Sequence, residues 1–332
     1  MTAAAERCST VARVLAEPLA GTAPLARTWV ALEQPGPWGN RALTQSHLDP
    51  GVGADLTARS DGTGVTVVLV RRPGHHADAT SVARETGTGP AGAGPRGHGT
   101  APPRALWIAH TGVEPWLLRA TVTDPAVLLD LDFGSLAAGT RPAMGEPDAE
   151  ALRLVCTNSR RDECCALIGR PLAAELAATW PGRVWESSHL GGHRLAPVVL
   201  SLPDGFVFGG PRAASLSLSS CRGRSTLDRP GQAAELAELA ALSQRAEQAR
   251  PAGPAGPAGP AGPAGPSGGT DSRPRALVVE PDGGDWLVGD PLSGGPAVRY
   301  SVTRRDLAPA RKESCLKGPV SSVAYEAVRI GP

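Results

Sequence analysis

The sequence predicts an α/β protein. Strand-like and helix-like segments alternate along most of its 332 residues, a proline- and glycine-rich run interrupts the chain after residue 250, and short apolar extended segments follow that run. Single cores usually stop growing well below this length, so two compact units joined to a smaller third segment fit better than one. With 41 glycines and 33 prolines beside few aromatic residues, part of the chain is expected not to pack. The expected division is an N-terminal α/β unit over 1–145, a second α/β unit over 146–250, a Pro/Ala/Gly linker over 251–273 and a small β-rich appendage over 274–332.

The second unit is the clearer one. Leu152 to Val155 reads as a short strand, Ala166 to Thr179 as a helix and Arg183 to Glu186 as an extended segment. Pro197 to Leu202 and Phe206 to Gly209 flank Pro203-Asp204-Gly205, a hairpin signal because proline presets the first turn angle and glycine accepts positive φ. Gln232 to Ala249 is an amphipathic helix that starts after Pro230-Gly231 and stops at the proline-rich run. Strand, helix, strand, hairpin, helix is the order of a thioredoxin-like layer.

The first unit follows a similar order. Thr28 to Leu32 and Val65 to Arg71 read as strands around a short helix at Gly51 to Arg59, Ala105 to Ala109 with Trp116 to Val122 as a hairpin, and Pro125 to Phe133 as a helix. A degenerate internal duplication and an unrelated α/β domain both fit. Under duplication, Gln34-Pro35-Gly36-Pro37-Trp38-Gly39 takes the place of the cysteine loop of the second unit but offers no metal ligand, leaving a structural or partner-facing layer. Thr86 to Pro103 lacks apolar periodicity and reads as an exposed loop. Pro251 to Gly269 has a collagen-like triplet period, but a few triplets in one chain cannot hold a triple helix, so it reads as an extended linker. Ala276 to Val279, Trp286 to Val288, Val298 to Val302 and Val323 to Ile330 are the apolar extended segments of the appendage.

Composition excludes several functions. A net charge of +1 without a long single-sign run argues against a nucleic-acid-tracking surface. No stretch approaches the length of a membrane span, and charged residues interrupt the first twenty positions, so a soluble cytoplasmic protein is expected. Neither a GxGxxG fingerprint nor a P-loop is present, so an internal NAD, flavin or nucleotide site is not supported. Three of the six cysteines crowd into ten residues. In a reducing compartment such a cluster indicates metal binding or redox chemistry before a disulfide frame.

That cluster is Cys156, Cys164 and Cys165, with Cys156 at a strand end and Cys165 at a helix start, where backbone N–H groups favour thiolate. His189 and His193 follow, separated by Leu190-Gly191-Gly192. The paired glycines argue for a tight loop that lets backbone approach something bulky, such as a metal or cluster. His47, His75, His76, His98 and His110 read as ordinary core or surface residues, and Cys8, Cys221 and Cys315 as small buried ones, with a redox role for Cys315 left open.

The strings CTNSRRDECC (156–165), Gly169-Arg170-Pro171, WESSHLGGH (185–193) and Leu202-Pro203-Asp204-Gly205 resemble the sucrase/ferredoxin-like family over about residues 25–245. The resemblance implies a thioredoxin-like [2Fe–2S] ferredoxin of bis-histidinyl type, with H-x3-H where related ferredoxins carry C-x3-C. It assigns Cys156, Cys165, His189 and His193 as ligands, with Cys164 the alternative to Cys165. Arg160, Arg161 and Arg170 would flank the site and favour an acidic redox partner, and Asp162 reads as a helix-capping or salt-bridging residue rather than an acid catalyst. Two ferric ions and two sulfides carry a charge of plus two, which two thiolates and two neutral imidazoles bring to zero. Reduction is then easier than in a four-thiolate centre, the logic that raises Rieske potentials. A zinc site uses the same donors, and a thiol redox enzyme is the other alternative. Despite the family's name, neither paired acids nor an aromatic-lined sugar cleft is evident, so an electron carrier is expected rather than a glycosidase.

Overall fold

The computed structural model describes residues 7–74, 102–249 and 274–331. The loop expected from Thr86 lies outside them up to residue 101, as do the Pro-Ala-Gly run and His75, His76 and His98.

Ten strands form one mixed sheet: β1 (Thr28–Glu33), β2 (Val65–Arg71), β3 (Arg104–His110), β4 (Trp116–Val122), β5 (Glu146–Pro147), β6 (Leu152–Cys156), β7 (Val184–Ser187), β8 (Val199–Leu202), β9 (Phe206–Phe208) and β10 (Cys221–Arg224). Their order is β10-β9-β8-β6-β7-β2-β1-β3-β4-β5. β1 pairs parallel with β2 and antiparallel with β3, which pairs antiparallel with β4. β6 makes the same set of pairings, parallel with β7 and antiparallel with β8, which pairs antiparallel with β9. The two four-strand groups join where β2 and β7 run antiparallel, with Val70 opposite Ser187 and Arg71 opposite Glu186. The carboxyl ends of β2 and β7 therefore lie side by side at the centre of the sheet.

Parallel neighbours need a crossover, and the helices Pro50–Ser60 and Glu163–Thr179 supply one in each group. Each starts at an aspartate whose carboxylate accepts a backbone N–H, Asp49 from Val52 at 2.9 Å and Asp162 from Cys164 at 2.9 Å. The uninterrupted apolar character of β1 and β2 follows from burial on both faces. Val30, Leu32 and Leu69 pack into one cluster with Leu56, Leu128 and Phe133, whereas Trp29, Ala31, Val68 and Val70 share a second cluster with Leu154, Cys156, Cys165 and Leu200 of the other group. The cysteines thus sit at the rim of a core to which both groups contribute.

Three features differ from the sequence reading. The segment expected as one helix over Pro125 to Phe133 is a 3-10 turn, Pro125–Asp130, followed by a short helix, Phe133–Ala137. Asp124 and Asp132 each cap a separate start, and Leu131 between them is extended. An additional helix, Cys8–Val14, runs alongside the His193–Leu195 turn. The C-terminal strands are also longer than their apolar stretches. β11 (Val278–Asp282), β12 (Asp285–Gly289), β13 (Val298–Lys312) and β14 (Pro319–Gly331) form a four-stranded antiparallel sheet, and the polar half of β13 is held by pairing with β14 rather than by burial.

This small sheet packs on the helix Arg229–Gln248. Buried Glu235 pairs with Arg224 at 2.9 Å and accepts the Leu277 N–H at 2.9 Å, while the Tyr300 hydroxyl donates to Glu238 at 2.7 Å. Packing against the sheet explains why acidic residues of an amphipathic helix are inside.

Candidate metal centre

Cys156 closes β6, its N–H bonded to the Val198 carbonyl at 3.0 Å. The helix carrying Cys165 packs directly against that strand end because residue 169 is glycine: a Cβ there would stand 2.2 Å from the Cys156 carbonyl oxygen. The intervening loop is fastened on several sides. The Thr157 hydroxyl donates to Glu186 at 2.9 Å, Asn158 donates from Nδ2 to the Gly39 carbonyl at 3.1 Å, and the Asn158 side-chain oxygen accepts the N–H groups of Arg160 and Arg161. Glu186 also makes a buried ion pair with Arg71 at 2.9 Å, and the Arg71 guanidinium lies 4.0 Å from the Trp38 ring centre. Gln34 to Gly39 thus supports the cysteine loop.

The histidine loop follows β7. Gly191 and Gly192 have φ of +86° and +74°, so two successive residues occupy the left-handed region that favours glycine. Approaching this backbone closely is the guanidinium of Arg222, which is 2 % exposed and donates to the Gly191 carbonyl at 3.1 Å, to Thr22 Oγ1 at 3.1 Å and to the Thr22 carbonyl. The group that approaches this glycine backbone closely is therefore a buried arginine rather than the metal or cluster the paired glycines suggested. Burial, aided by the nearby charges of Arg194 and Arg229, pulls the Arg222 pKa down to about 9.

One sulfur each from Cys156 and Cys165 and one nitrogen of His189 lie within 4.8 Å of one another. His193 stands outside that trio, with its ring centre 5.0 Å from that of His189. Nδ1 of His189 and both ring nitrogens of His193 are buried without a hydrogen-bond partner. Buried polar atoms are normally satisfied, so these nitrogens are the kind of donor atoms a bound metal would satisfy. Two sulfurs and two imidazoles are a donor set for a soft or borderline metal, and the residues present fit one.

The electrostatics suit thiolate at one sulfur. Hydrogen bonding from the Cys165 thiol, aided by His189 and opposed by burial, holds Cys156 well below the ordinary thiol range. The same hydrogen bond, with burial, pushes Cys165 up. Burial lowers the His193 pKa, and the neighbouring His189 adds to this, which keeps the imidazole neutral. A neutral imidazole is the form that ligates a metal.

Cys164, one residue from Cys165, points elsewhere. It joins Cys8, Asp162 and Cys315 in a second group, with burial and the Cys164 thiol lifting Cys315 to about 12 against the opposing hydrogen bonds of Cys8, and the Cys8 thiol lowering Cys164 to about 6. Nothing in the spacing of Cys8 or Cys315 points to this meeting, since they lie 156 and 151 residues from Cys164. Asp162 caps its helix as expected. Of the three arginines expected near the site, Arg160 is exposed, Arg161 donates to the Asn40 side chain at 2.7 Å, and Arg170 is half-buried with its Nε unpartnered. Cys221 is buried, and His110 is a structural residue bonded to Thr28 at 3.0 Å and stacked on Trp116. None of the thiols or the two loop histidines lines the broad groove bounded by Arg72, Arg119, Asp148, Arg183 and Trp185. Among the described residues no helix is long and apolar enough to cross a membrane.

Fold and site together define an α/β protein, with a large mixed sheet and a small antiparallel one, whose Cys and His groups could hold a metal ion. A family model described as sucrase/ferredoxin-like matches residues 19–218, and the chain belongs to that family. No curated protein and no solved structure matches it.

Proposed function

We propose that the chain is an electron carrier that holds a [2Fe–2S] cluster through Cys156, Cys165, His189 and His193. One observation carries the reading: three buried imidazole nitrogens without partners stand beside a pair of cysteine sulfurs. A cluster of this kind supplies one-electron chemistry. A single zinc ion would use the same four donors, and metal analysis separates the two readings. The chain's own residues position the donors: Gly169 brings the helix onto β6, Arg222 fixes the histidine loop, and the Arg71–Glu186 pair braces the cysteine loop. Exposed Arg160 and half-buried Arg161 present positive charge to an acidic redox partner.

The matching pairings of β1–β4 and β6–β9 favour a degenerate duplication of a thioredoxin-like layer. On this reading the first copy has lost its ligands and serves as a brace, through Gly39 and Asn40, for the second. All six cysteines are unpaired, in keeping with a reducing, cytoplasmic setting.

The test is a visible and EPR spectrum of anaerobically purified protein with iron and sulfide analysis. The expected result is a coloured protein with about two irons and two sulfides per chain and an EPR signal on reduction. His189→Ala and His193→Ala should each lose the colour. Zinc bound by these four residues in a colourless wild-type protein would overturn the proposal.

A further inference from the structure

We propose that Cys8, Cys164, Cys315 and Asp162 form a second, structural zinc site, separate from the Cys156, Cys165, His189 and His193 group. The three sulfurs form a nearly equilateral triangle: Cys8 to Cys164 is 3.7 Å, Cys164 to Cys315 is 3.4 Å and Cys315 to Cys8 is 3.6 Å. Both carboxylate oxygens of Asp162 lie 3.6 Å from the Cys8 sulfur, and the four donors are all within 4.8 Å of one another. Disulfide sulfurs are about 2.05 Å apart, so no pair here is bonded. Tetrahedral zinc with Zn–S of about 2.3 Å and Zn–O of about 2.0–2.2 Å requires S···S edges of about 3.8 Å and S···O edges of about 3.6 Å. The observed edges fall within a few tenths of an ångström of that figure.

The surroundings resemble the outer shell of a metal site. The Ser9 hydroxyl donates to the Cys164 sulfur at 3.2 Å and the Cys8 N–H to the Cys315 sulfur at 3.5 Å. Asp162 accepts the Cys164 N–H at 2.9 Å through one oxygen and the Cys315 N–H at 2.7 Å through the other, which fixes its plane and leaves each oxygen a further lone pair. Cys8, Cys164 and Asp162 are fully buried, while Cys315 is partly exposed and offers an entry path. Among the described residues, no lysine or arginine hydrogen-bonds the Asp162 carboxylate. A divalent cation supplies the missing positive charge, and its binding releases the protons the thiols still hold as three Zn–S bonds form.

Such a site has a clear structural use. Its ligands come from the N-terminal helix, from the start of the helix that carries Cys165 and from the turn between β13 and β14. Apart from Ala196, the apolar cluster at this corner consists only of the cysteines themselves, so little hydrophobic packing holds the three segments together. A zinc ion would staple the small sheet and the N-terminal helix to the base of the cysteine loop.

The experiment uses the full chain purified anaerobically from zinc-supplemented cells. Metal analysis should find one zinc per chain, and Cys8→Ser and Cys315→Ser should release zinc to a chelator at least tenfold more readily than wild type while keeping their iron. Cys156→Ser and His193→Ala should keep zinc, whether or not the wild-type protein contains iron, so failure of the electron-carrier reading would not disguise failure of this one. The zinc absorption edge of the wild-type protein settles the matter should a variant not fold. A shell of three sulfurs near 2.3 Å and one oxygen supports the site. Histidine scattering, zinc lost with Cys156 or His193 instead, or a zinc-free wild type with freely alkylated Cys8, Cys164 and Cys315 would overturn it.

Discussion

Replacing Gly192 by alanine tests whether Arg222 determines the geometry of the histidine loop. The residue has φ of +74°, and an added Cβ would lie 2.2 Å from Arg222 Nη2 and 2.8 Å from its Cζ. Left-handed backbone costs an L-residue about 1–2 kcal/mol. The guanidinium must also retreat from a site where it is 2 % exposed, giving up one or more hydrogen bonds to the Gly191 carbonyl and to Thr22, each charge-assisted and worth about 1.5–3 kcal/mol. The expected destabilisation is therefore about 3–5 kcal/mol. Gly62→Ala is the control, since its φ of +68° is similar but nothing lies within 4 Å of an added Cβ, leaving only the backbone cost of about 1–2 kcal/mol. Urea denaturation with matched slopes measures both, and metal content is determined on the same samples because His193 follows directly. A Gly192→Ala protein no less stable than Gly62→Ala would refute the reasoning.

Arg71→Met should cost about 3–5 kcal/mol in a denaturation experiment, because it removes the guanidinium paired with the buried Glu186 carboxylate; adding Glu186→Leu should recover part of that loss. Asp148 is held below the ordinary carboxyl range by Arg183, which reaches it with two hydrogen bonds of 2.9 Å, and by the Glu150 N–H, despite opposing burial. Its folded pKa is depressed, so its contribution of about 1–2 kcal/mol is present above the unfolded carboxyl value and lost as pH falls through the folded one. The stability difference between wild type and Asp148→Asn should therefore close on acidification below about pH 4, as followed by denaturation midpoints at several pH values.

Much of the element pattern was legible because local chemistry dictates it. Apolar runs at Val30 to Leu32 and Val67 to Val70, aspartates at helix starts and the Pro203-Asp204-Gly205 turn act over a few residues, and the strands and helices stand where these signals put them. Some exceptions arise where a long-range partner replaces the local signal. The polar stretch of β13 is extended because β14 pairs with it, and the helix Cys8–Val14 is placed by neighbours far along the chain. The motif with two cysteines and two histidines was visible because each half lies within a short loop of distinctive spacing.

From the residues alone came the α/β character, the cysteine loop, the glycine-spaced histidines and the resemblance to the family. Tertiary structure decided which sulfur joins which group: Cys164 and Cys165 are neighbours in sequence, but adjacent positions on a helix project about 100° apart, so one turns toward Cys156 and the other toward Cys8 and Cys315. It also brought together donors from both ends of the chain and set Arg222 against Gly192. Those meetings depend on packing between distant segments, and no local pattern encodes the direction in which a side chain will find its neighbour.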